Sequence, residues 1–425
     1  MKYSILIILL VGSLFADEKL LQSALYYGLK PVPKDLKSLR TELNIKEEDL
    51  SHTKVALGKK LFFDKNLSLG KDISCASCHS FKKGGADGLS TAVGHKKQEN
   101  PFHLNTPTVL NSAFSKQYFW NGRSKDLQDQ AKGPLQAKFE MSITPKLAVQ
   151  RIEENKIYEE LFLKAYGNKK ITFEKIANAI STYEKTLLTR GRYDNFLEGD
   201  LNALNKKEKE GLHLFITKSC VGCHNGIALG GQELRKFPLV HHRIWSMQSI
   251  EEVKDLKKRY NTFLSKLEEN RKYFDMDFKS DKSLVSFLEK SLGKEDLDAI
   301  SEGFFHLFPK QKAYKKIVTT SCNSCHNGKN NSVKKELLAN IVFPFENKGN
   351  FLGKDDPDRF FRVPLLRNVV STYPYFHNGG IEELEDAIKL MVKHQHRTKI
   401  SDDEIKKIVA FLESVNGEIV EYINN

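Results

Sequence analysis

The chain has 425 residues, 40% hydrophobic and 28% charged, with 26 Gly, 12 Pro, six Cys and a formal net charge of +13. Its 27 Phe and 14 Tyr can fill a sizeable core, which excludes a disordered tail, and its ordinary Gly and Pro content excludes a collagen-like or linker-dominated chain. No apolar run reaches the ~18 residues of a membrane span, and the cysteines are too sparse for a disulfide-stapled scaffold.

Residues 1–16 begin with Lys2, continue through an apolar run from Ile5 to Leu14 and end at Phe15-Ala16 before the charged Asp17-Glu18-Lys19. A positive start, a short apolar core and a small residue at the break read as a secretory signal, so a periplasmic protein is expected; a retained membrane anchor is the alternative. Residues 20–52 are a charged lead-in with Pro31 and Pro33. From Val55 to Phe63 an apolar-rich stretch predicts a helix that runs into Asp64, shortly before Cys75-Ala76-Ser77-Cys78-His79. Residues 80–125, rich in Gly, Asn and Ser with Pro101 and Pro107, predict a long functional loop.

Thr172 is placed to cap a helix with apolar positions Ile176, Ala179, Ile180, Tyr183 and Leu187. Asn205 with Glu208 marks the next helix start, carrying Leu212 and Phe215 toward Cys220-Val221-Gly222-Cys223-His224. Two lysine/glutamate-laced helical segments, roughly 249–274 and 281–305, lead to Cys322-Asn323-Ser324-Cys325-His326. The last helix starts at a capping box, Ser401 with Glu404, and turns Ile405, Ile408, Val409 and Leu412 inward. No strand-rich block is present, so the fold is expected to be mainly α.

All six cysteines thus fall into three copies of C-x-x-C-H, the signature of covalent c-type haem attachment. Two thiols one helical turn apart reach the two vinyl groups of one porphyrin, and the following histidine (His79, His224 or His326) becomes the proximal iron ligand. Disulfides or redox pairs leave the three histidines unexplained, and zinc wants four ligands per metal. The stretch TKSCVGCHNG at 217 returns as TTSCNSCHNG at 319, which suggests a duplicated haem-binding unit.

Longer runs carry a resemblance. LGKKLFFD precedes the first motif; GH stands at 94–95, NTPTVLN at 105–111, FWNGRS at 119–124 and DLQDQAKGPLQAKFEM at 126–141. CHNGIALGGQ follows at 223–232, FRVPLLRN at 361–368, PYFHNGG at 374–380 and LEDAIKLM at 384–391. With these, the chain resembles the bacterial di-haem cytochrome c peroxidases, in a variant with a third c-type haem.

The resemblance implies two cytochrome c-like haem domains and a helical insertion. Residues 17–200 would form the peroxidatic domain, 201–240 with 346–425 the electron-transfer domain, and 241–345 the third-haem insertion. The haem on Cys75, Cys78 and His79 would reduce peroxide, with His95 as a second axial ligand that leaves on activation. Glu140 would be the acid/base, Gln130 would position substrate, and Trp120 would lie on the electron route. The haem on Cys220, Cys223 and His224 would accept electrons, with Met391 as axial ligand. A calcium would use Asn105 and the carbonyls of Thr372 and Pro374. Partners would be hydrogen peroxide and a small cytochrome c or another periplasmic donor, with quinol an alternative; a homodimer is implied and no nucleic acid is expected.

The elementary chemistry agrees. Met/His ligation raises a haem potential, one carboxylate can serve as base and then acid, and an amide donor suits developing negative charge. The departure is the third haem on Cys322, Cys325 and His326, whose second ligand stays open among His241, His242, Met247, Met276 and His306. Met391 lies nearer in sequence to His326 than to His224; the run CHNGIALGGQ and the 145-residue gap from His79 to His224 favour His224 as its partner. A multihaem electron carrier without peroxide chemistry is the second reading. A third is a related oxidase acting on a protein; in the branch that matures methylamine dehydrogenase Tyr replaces the methionine, so Met391 speaks against it.

Overall fold

Two helix pairs, each crossing at a glycine, organise the fold of this computed structural model, which describes residues 16–237, 360–392, 395 and 399–422. In chain order the described helices used below are α1 (16–26), α2 (Leu36–Leu43), α3 (His52–Phe62), α4 (Cys75–Cys78), α5 (Leu127–Gln136), α6 (Pro145–Glu153), α7 (Lys156–Tyr166), α8 (Phe173–Glu184), α9 (Arg192–Leu197), α10 (Lys206–Thr217), α11 (Leu384–Met391) and α12 (Asp402–Ser414). Two short antiparallel ribbons accompany them: β1 (Thr189–Arg190) with β4 (Glu418–Ile419), and β2 (Leu234–Lys236) with β3 (Phe360–Arg362). The fold is mainly helical, as the sequence pattern requires. The expected signal segment (apart from Ala16), the helical segments at 249–274 and 281–305, and the third motif with its repeat lie outside the described residues.

The helix ends follow their capping chemistry. Ser51 accepts from the Lys54 N–H and starts α3 upstream of Val55. Thr172 caps α8 through the Lys175 N–H. Reciprocal capping boxes, Asn205 with Glu208 and Ser401 with Glu404, start α10 and α12. Three positions differ: α8 stops at Glu184 with Leu187 buried in the turn beyond it, α3 stops at Phe62 with Phe63 exposed, and Val409 is only half-buried while Ala410 and Phe411 take the inward places on α12.

By contact the chain divides into two units. The first is Met1–Phe237, Asn347–Ala387 and Thr398–Asn425, and it contains both helix pairs; of the second, Pro238–Glu346 with Ile388–Arg397, the described part is the end of α11 with residues 392 and 395. Within the first unit, α3 crosses α8 where a Cβ on Gly58 would run into the Ala179 carbonyl and the Tyr183 Cβ. Likewise α10 crosses α12 where a Cβ on Gly211 would run into the Lys407 carbonyl and the Phe411 Cβ.

Four residues beyond each glycine stands a phenylalanine. Phe62 packs on Tyr183 at 5.4 Å and lies 6.5 Å from the His79 ring; Phe215 packs on Phe411 at 5.2 Å and lies 6.5 Å from the His224 ring. His79 and His224, the two described C-x-x-C-H histidines, are therefore set against the same three-part support: a glycine crossing, a Phe and an aromatic on the partner helix.

A second regularity relates positions 257 residues apart, as from Asn111 to Asn368. Both asparagines adopt left-handed backbone (φ 60° and 62°), as do Phe119 and Phe376 (61° and 69°) and Gly122 and Gly379 (69° and 57°). Isolated bridges Tyr118–Ser124 and Tyr375–Ile381 match, and α5 and α11 begin at the same interval. The two copies clasp one another. Asn105 N–H donates to the His377 carbonyl at 2.8 Å and Arg362 N–H to the Trp120 carbonyl at 2.7 Å, a reciprocal exchange between equivalent positions. Asn111 and Asn368 both bond the Thr189 hydroxyl, at 3.0 and 2.6 Å.

A buried ion pair anchors the second copy to α9. Arg367 and Asp194, both fully buried, pair bidentately at 2.9 and 3.0 Å. The Asp194 carboxylate also accepts from the Val32 and Gly191 N–H groups, and Arg367 donates to the Ile227 and Lys30 carbonyls. Four segments distant in sequence meet at this one pair.

Candidate functional site

Cys75, Cys78 and His79 line one cavity of about 340 Å³. α4 is a single turn, and the Ser74 N–H donates to the Ser77 hydroxyl at 2.9 Å, fixing its start. One turn of helix puts the two thiols on one face, and neither is in a disulfide. The His79 Nδ1 lies 3.0 Å from the Gly85 carbonyl, which holds the ring and leaves Nε2 as its other nitrogen. Two free thiols and an oriented imidazole on one cavity wall are the donor set that a c-type haem takes, so the residues fit the group.

Further lining comes from the expected loop and from α5. Trp120, Gln130 and Glu140 all line the same cavity, together with Phe102, Phe119, Phe139 and Arg123. α5 buries Leu127, Ala131 and Leu135 on one side, leaving Gln130 on the adjoining face. Pro134 cannot donate to the Gln130 carbonyl, and the helix ends shortly after it. The chain then turns, with Glu140 N–H on the Ala137 carbonyl and Met141 N–H on the Pro134 carbonyl, and presents Glu140 to the cavity. Burial pushes the Glu140 carboxyl up to about 7, with the Arg123 cation opposing. Arg123 is itself seated, stacked 3.4 Å above the Phe119 ring and bonded to the Asn121 amide oxygen at 3.1 Å.

His95 meets Glu140 through the main chain. Its N–H donates to the Glu140 carbonyl at 2.7 Å, and a Cβ on the preceding Gly94 would collide with the Phe139 carbonyl and the Glu140 backbone. The residue is buried and its Nδ1 has no hydrogen-bond partner, but its ring is not among the groups that line the cavity. The two residues after it, Lys96 and Lys97, both hold left-handed backbone (φ 57° and 58°), a conformation that costs non-glycine residues energy.

Trp120 Nε1 donates to the Asn105 carbonyl at 2.9 Å, and its ring stands 6.3 Å from that of His377, which is stacked on Phe361 at 4.3 Å. Asn105 directs its amide nitrogen to the Pro374 carbonyl at 2.5 Å, so two of the three expected calcium ligands come together. Thr372 uses its hydroxyl on the Val369 carbonyl. At the second motif, the half-buried Cys220 and Cys223 flank a single tight turn, and the His224 Nδ1 lies 3.2 Å from the Leu229 carbonyl, as His79 does at Gly85. Met391 ends α11, half-buried. Cys322, Cys325, His326 and the open candidates His241, His242, Met247, Met276 and His306 lie outside the described residues.

Glu184 was not singled out by the sequence reading, although it extends the buried stripe of α8 one turn beyond Ile180. It lines the cavity, fully buried, with Oε2 unpartnered. Burial raises its carboxyl from 4.5 to about 8, with Lys185 opposing. A carboxyl that titrates near 4.5 when unfolded and near 8 when folded destabilises the fold progressively between those pH values. Glu184→Gln is therefore expected to match wild type near pH 4 and to gain on it as pH rises to 8, by about 2–4 kcal/mol. Thermal unfolding followed by circular dichroism across that range checks it; a constant difference would place the effect elsewhere.

Among the described residues no helix is long and apolar enough to cross a membrane. A family model described as di-haem cytochrome c peroxidase matches residues 52–202, and a cytochrome c model matches residues 312–416. The cytochrome c551 peroxidase of Nitrosomonas europaea is 33% identical over 363 residues, 85% of this chain and 79% of that one. The enzyme of the same name from Pseudomonas aeruginosa is 33% identical over 394 residues, 92% and 84% of the two chains. Among solved structures, a MauG-like protein associated with microbial copper homeostasis shares the fold at TM-score 0.56 and 20% identity, over 87% of this chain and 91% of that one.

Proposed function

Because the chain belongs to the di-haem cytochrome c peroxidase family, we propose that it reduces hydrogen peroxide to water with electrons from a cytochrome c-type donor, and that the cavity of the first motif is where it does so. The observation that carries the placement is the convergence of Cys75, Cys78, His79, Trp120, Gln130 and Glu140 on one cavity. When bound there, haem c supplies an iron for peroxide and the redox equivalents for its reduction. Each peroxide takes two electrons and two protons and leaves as two waters.

The chain's own residues manage the protons. The Glu140 carboxylate accepts the proton of the near oxygen and returns it to the far one as the O–O bond breaks. Gln130, on the adjoining face of α5, donates a hydrogen bond to the charge that develops there. Arg123 favours the carboxylate form of Glu140 and so resets it for the next turnover. His95 would be the displaceable ligand of a haem bound there. Its Nδ1 has none of the support that His79 and His224 receive, and the two left-handed lysines after it make the loop costly to hold.

The finer assignments rest on the same family reading. They are three haem c groups, one calcium held by Asn105 with the Thr372 and Pro374 carbonyls, export to the periplasm by residues 1–16, and a homodimer. The peroxidatic domain is 17–200, the electron-transfer domain 201–240 with 346–425, and the insertion 241–345. The donor is a small cytochrome c, with quinol the alternative. Steady-state assay of the haem-loaded protein with peroxide and either reduced cytochrome c or quinol tests the function. No turnover with either would leave an electron-transfer cytochrome.

Met391 has a second reading. The match to cytochrome c spans 312–416 and so encloses both the third motif and Met391, which favours His326 as its partner haem. We assign it to His224, since β2 just beyond the second motif pairs with β3, at the head of the run that leads to α11. In Cys322→Ala/Cys325→Ala the near-infrared band of a Met-ligated ferric haem is then expected to persist. Its disappearance would move Met391 to the third haem.

A further inference from the structure

Arg362 is buried to 4% exposure, and its guanidinium has no acidic partner among the described residues. Its main-chain N–H is used on the Trp120 carbonyl, but its side-chain Nε is buried with no hydrogen-bond partner. The Tyr118 phenol acts electrostatically on it, but that hydroxyl already donates to the Ser115 carbonyl at 2.9 Å. Its guanidinium carbon stands 5.8 Å from the Trp120 ring, and that ring lines the cavity of the first motif.

Arg367, five residues on and equally buried, shows what such a group ordinarily receives: a bidentate carboxylate and two carbonyls. An unpaired guanidinium at this depth costs several kcal/mol. Burial lowers Arg362 only to about 10, so at neutral pH it remains a cation without an anion.

We propose that Arg362 is the counter-ion of a haem propionate at the Trp120 contact between the two copies of the short repeat spaced 257 residues apart. A haem attached through C-x-x-C-H carries two carboxylates, and a planar guanidinium fork matches a carboxylate in two hydrogen bonds. Trp120, 5.8 Å from the fork, lines the first-motif cavity, although Arg362 itself is not among the residues that line it. The pairing of Arg362 with Leu234 across β2 and β3 also brings it near the segment that follows the second motif. The carboxylate chemistry is the same from either haem, and the two sources separate by measurement. Asn105, the equivalent position in the other copy, is neutral, so the charge belongs to one side of the repeat alone.

The inference rests on haem occupying the motifs, which the haem content of wild type tests first and separately. The experiment is a spectroelectrochemical titration of the loaded protein from pH 5 to 9 for wild type, Arg362→Gln and Arg362→Lys. Removing a cation beside a propionate disfavours the reduced haem and frees the carboxyl to titrate. In Arg362→Gln the midpoint of one haem is expected to fall and to become pH-dependent, with Arg362→Lys recovering most of both. The haem that responds names the propionate. Midpoints equal to wild type for every haem in a fully loaded Arg362→Gln would overturn the proposal. Should that variant fail to fold, Arg362→Lys still decides the matter, because a point charge replaces a fork. The carboxylate bands of the redox-difference infrared spectrum, with propionate-labelled haem, must then shift, and unchanged bands overturn the pairing.

Discussion

Replacing Glu140 by Gln is expected to slow peroxide-dependent oxidation of reduced cytochrome c by about 10²–10⁴-fold, with haem content and resting spectrum unchanged. Glutamine keeps the shape of the side chain and the main-chain bonds to Ala137 and His95, so the wall that follows α5 survives. What disappears is the only kind of group on that wall able to take a proton and give it back. The environment suits both acts: the apolar wall, with Phe102 and Phe139 in edge contact at 5.7 Å, holds the carboxyl near 7, where neither form is rare. Stopped-flow turnover with matched haem content checks the expectation. A variant that keeps more than a tenth of wild-type turnover would take the proton transfer away from Glu140.

The largest effect on stability is expected at Asp194. Asp194→Ala leaves Arg367 charged and buried, and removes the acceptor of the Val32 and Gly191 N–H groups as well. A broken buried pair of this kind costs about 3–5 kcal/mol, a large part of a domain's net stability. Guanidinium unfolding of the haem-loaded protein should show the midpoint falling accordingly. Arg367→Met alone should cost a similar amount. The double variant Asp194→Ala/Arg367→Met should cost less than the two single changes together, since no stranded charge remains. Additive losses would mean that the two groups act independently.

The parts of this architecture legible in sequence are those with local chemistry. The caps Thr172, Asn205 and Ser401 marked helix starts because an Ncap side chain bonds a backbone N–H two or three residues away. The C-x-x-C-H motifs declared their cofactor because both thiols and the imidazole sit within one turn. The loop nature of 80–125 was legible from its Gly, Asn and Pro, and it was the resemblance that assigned Trp120, Gln130 and Glu140, which the structure then brings to one cavity.

What stayed hidden depends on the crossing of distant segments. Glu184 looked like the charged end of a helix, and only the packing of α8 against α3 turns it into a buried cavity carboxyl. Arg362 and Arg367 stood in one quoted run, FRVPLLRN, with nothing to separate them. One finds Asp194 and the other finds no acid among the described residues. Leu187 kept the helical spacing but lies past the helix end, since a periodic pattern does not report where the backbone turns.

The repeat has a consequence for which side chains are free to differ. Two equivalent segments that trade backbone hydrogen bonds about a local dyad have the layout of a symmetric homodimer joined into one polypeptide. In such a molecule, positions identical in both copies serve the shared scaffold, as Asn111 and Asn368 or Gly122 and Gly379 do. Positions where the copies differ carry side chains that the shared scaffold does not dictate. Trp120 against His377 and Asn105 against Arg362 are such disagreements, and they meet at the dyad itself. The seam between the copies is thus built from a symmetric backbone exchange that carries four unlike side chains.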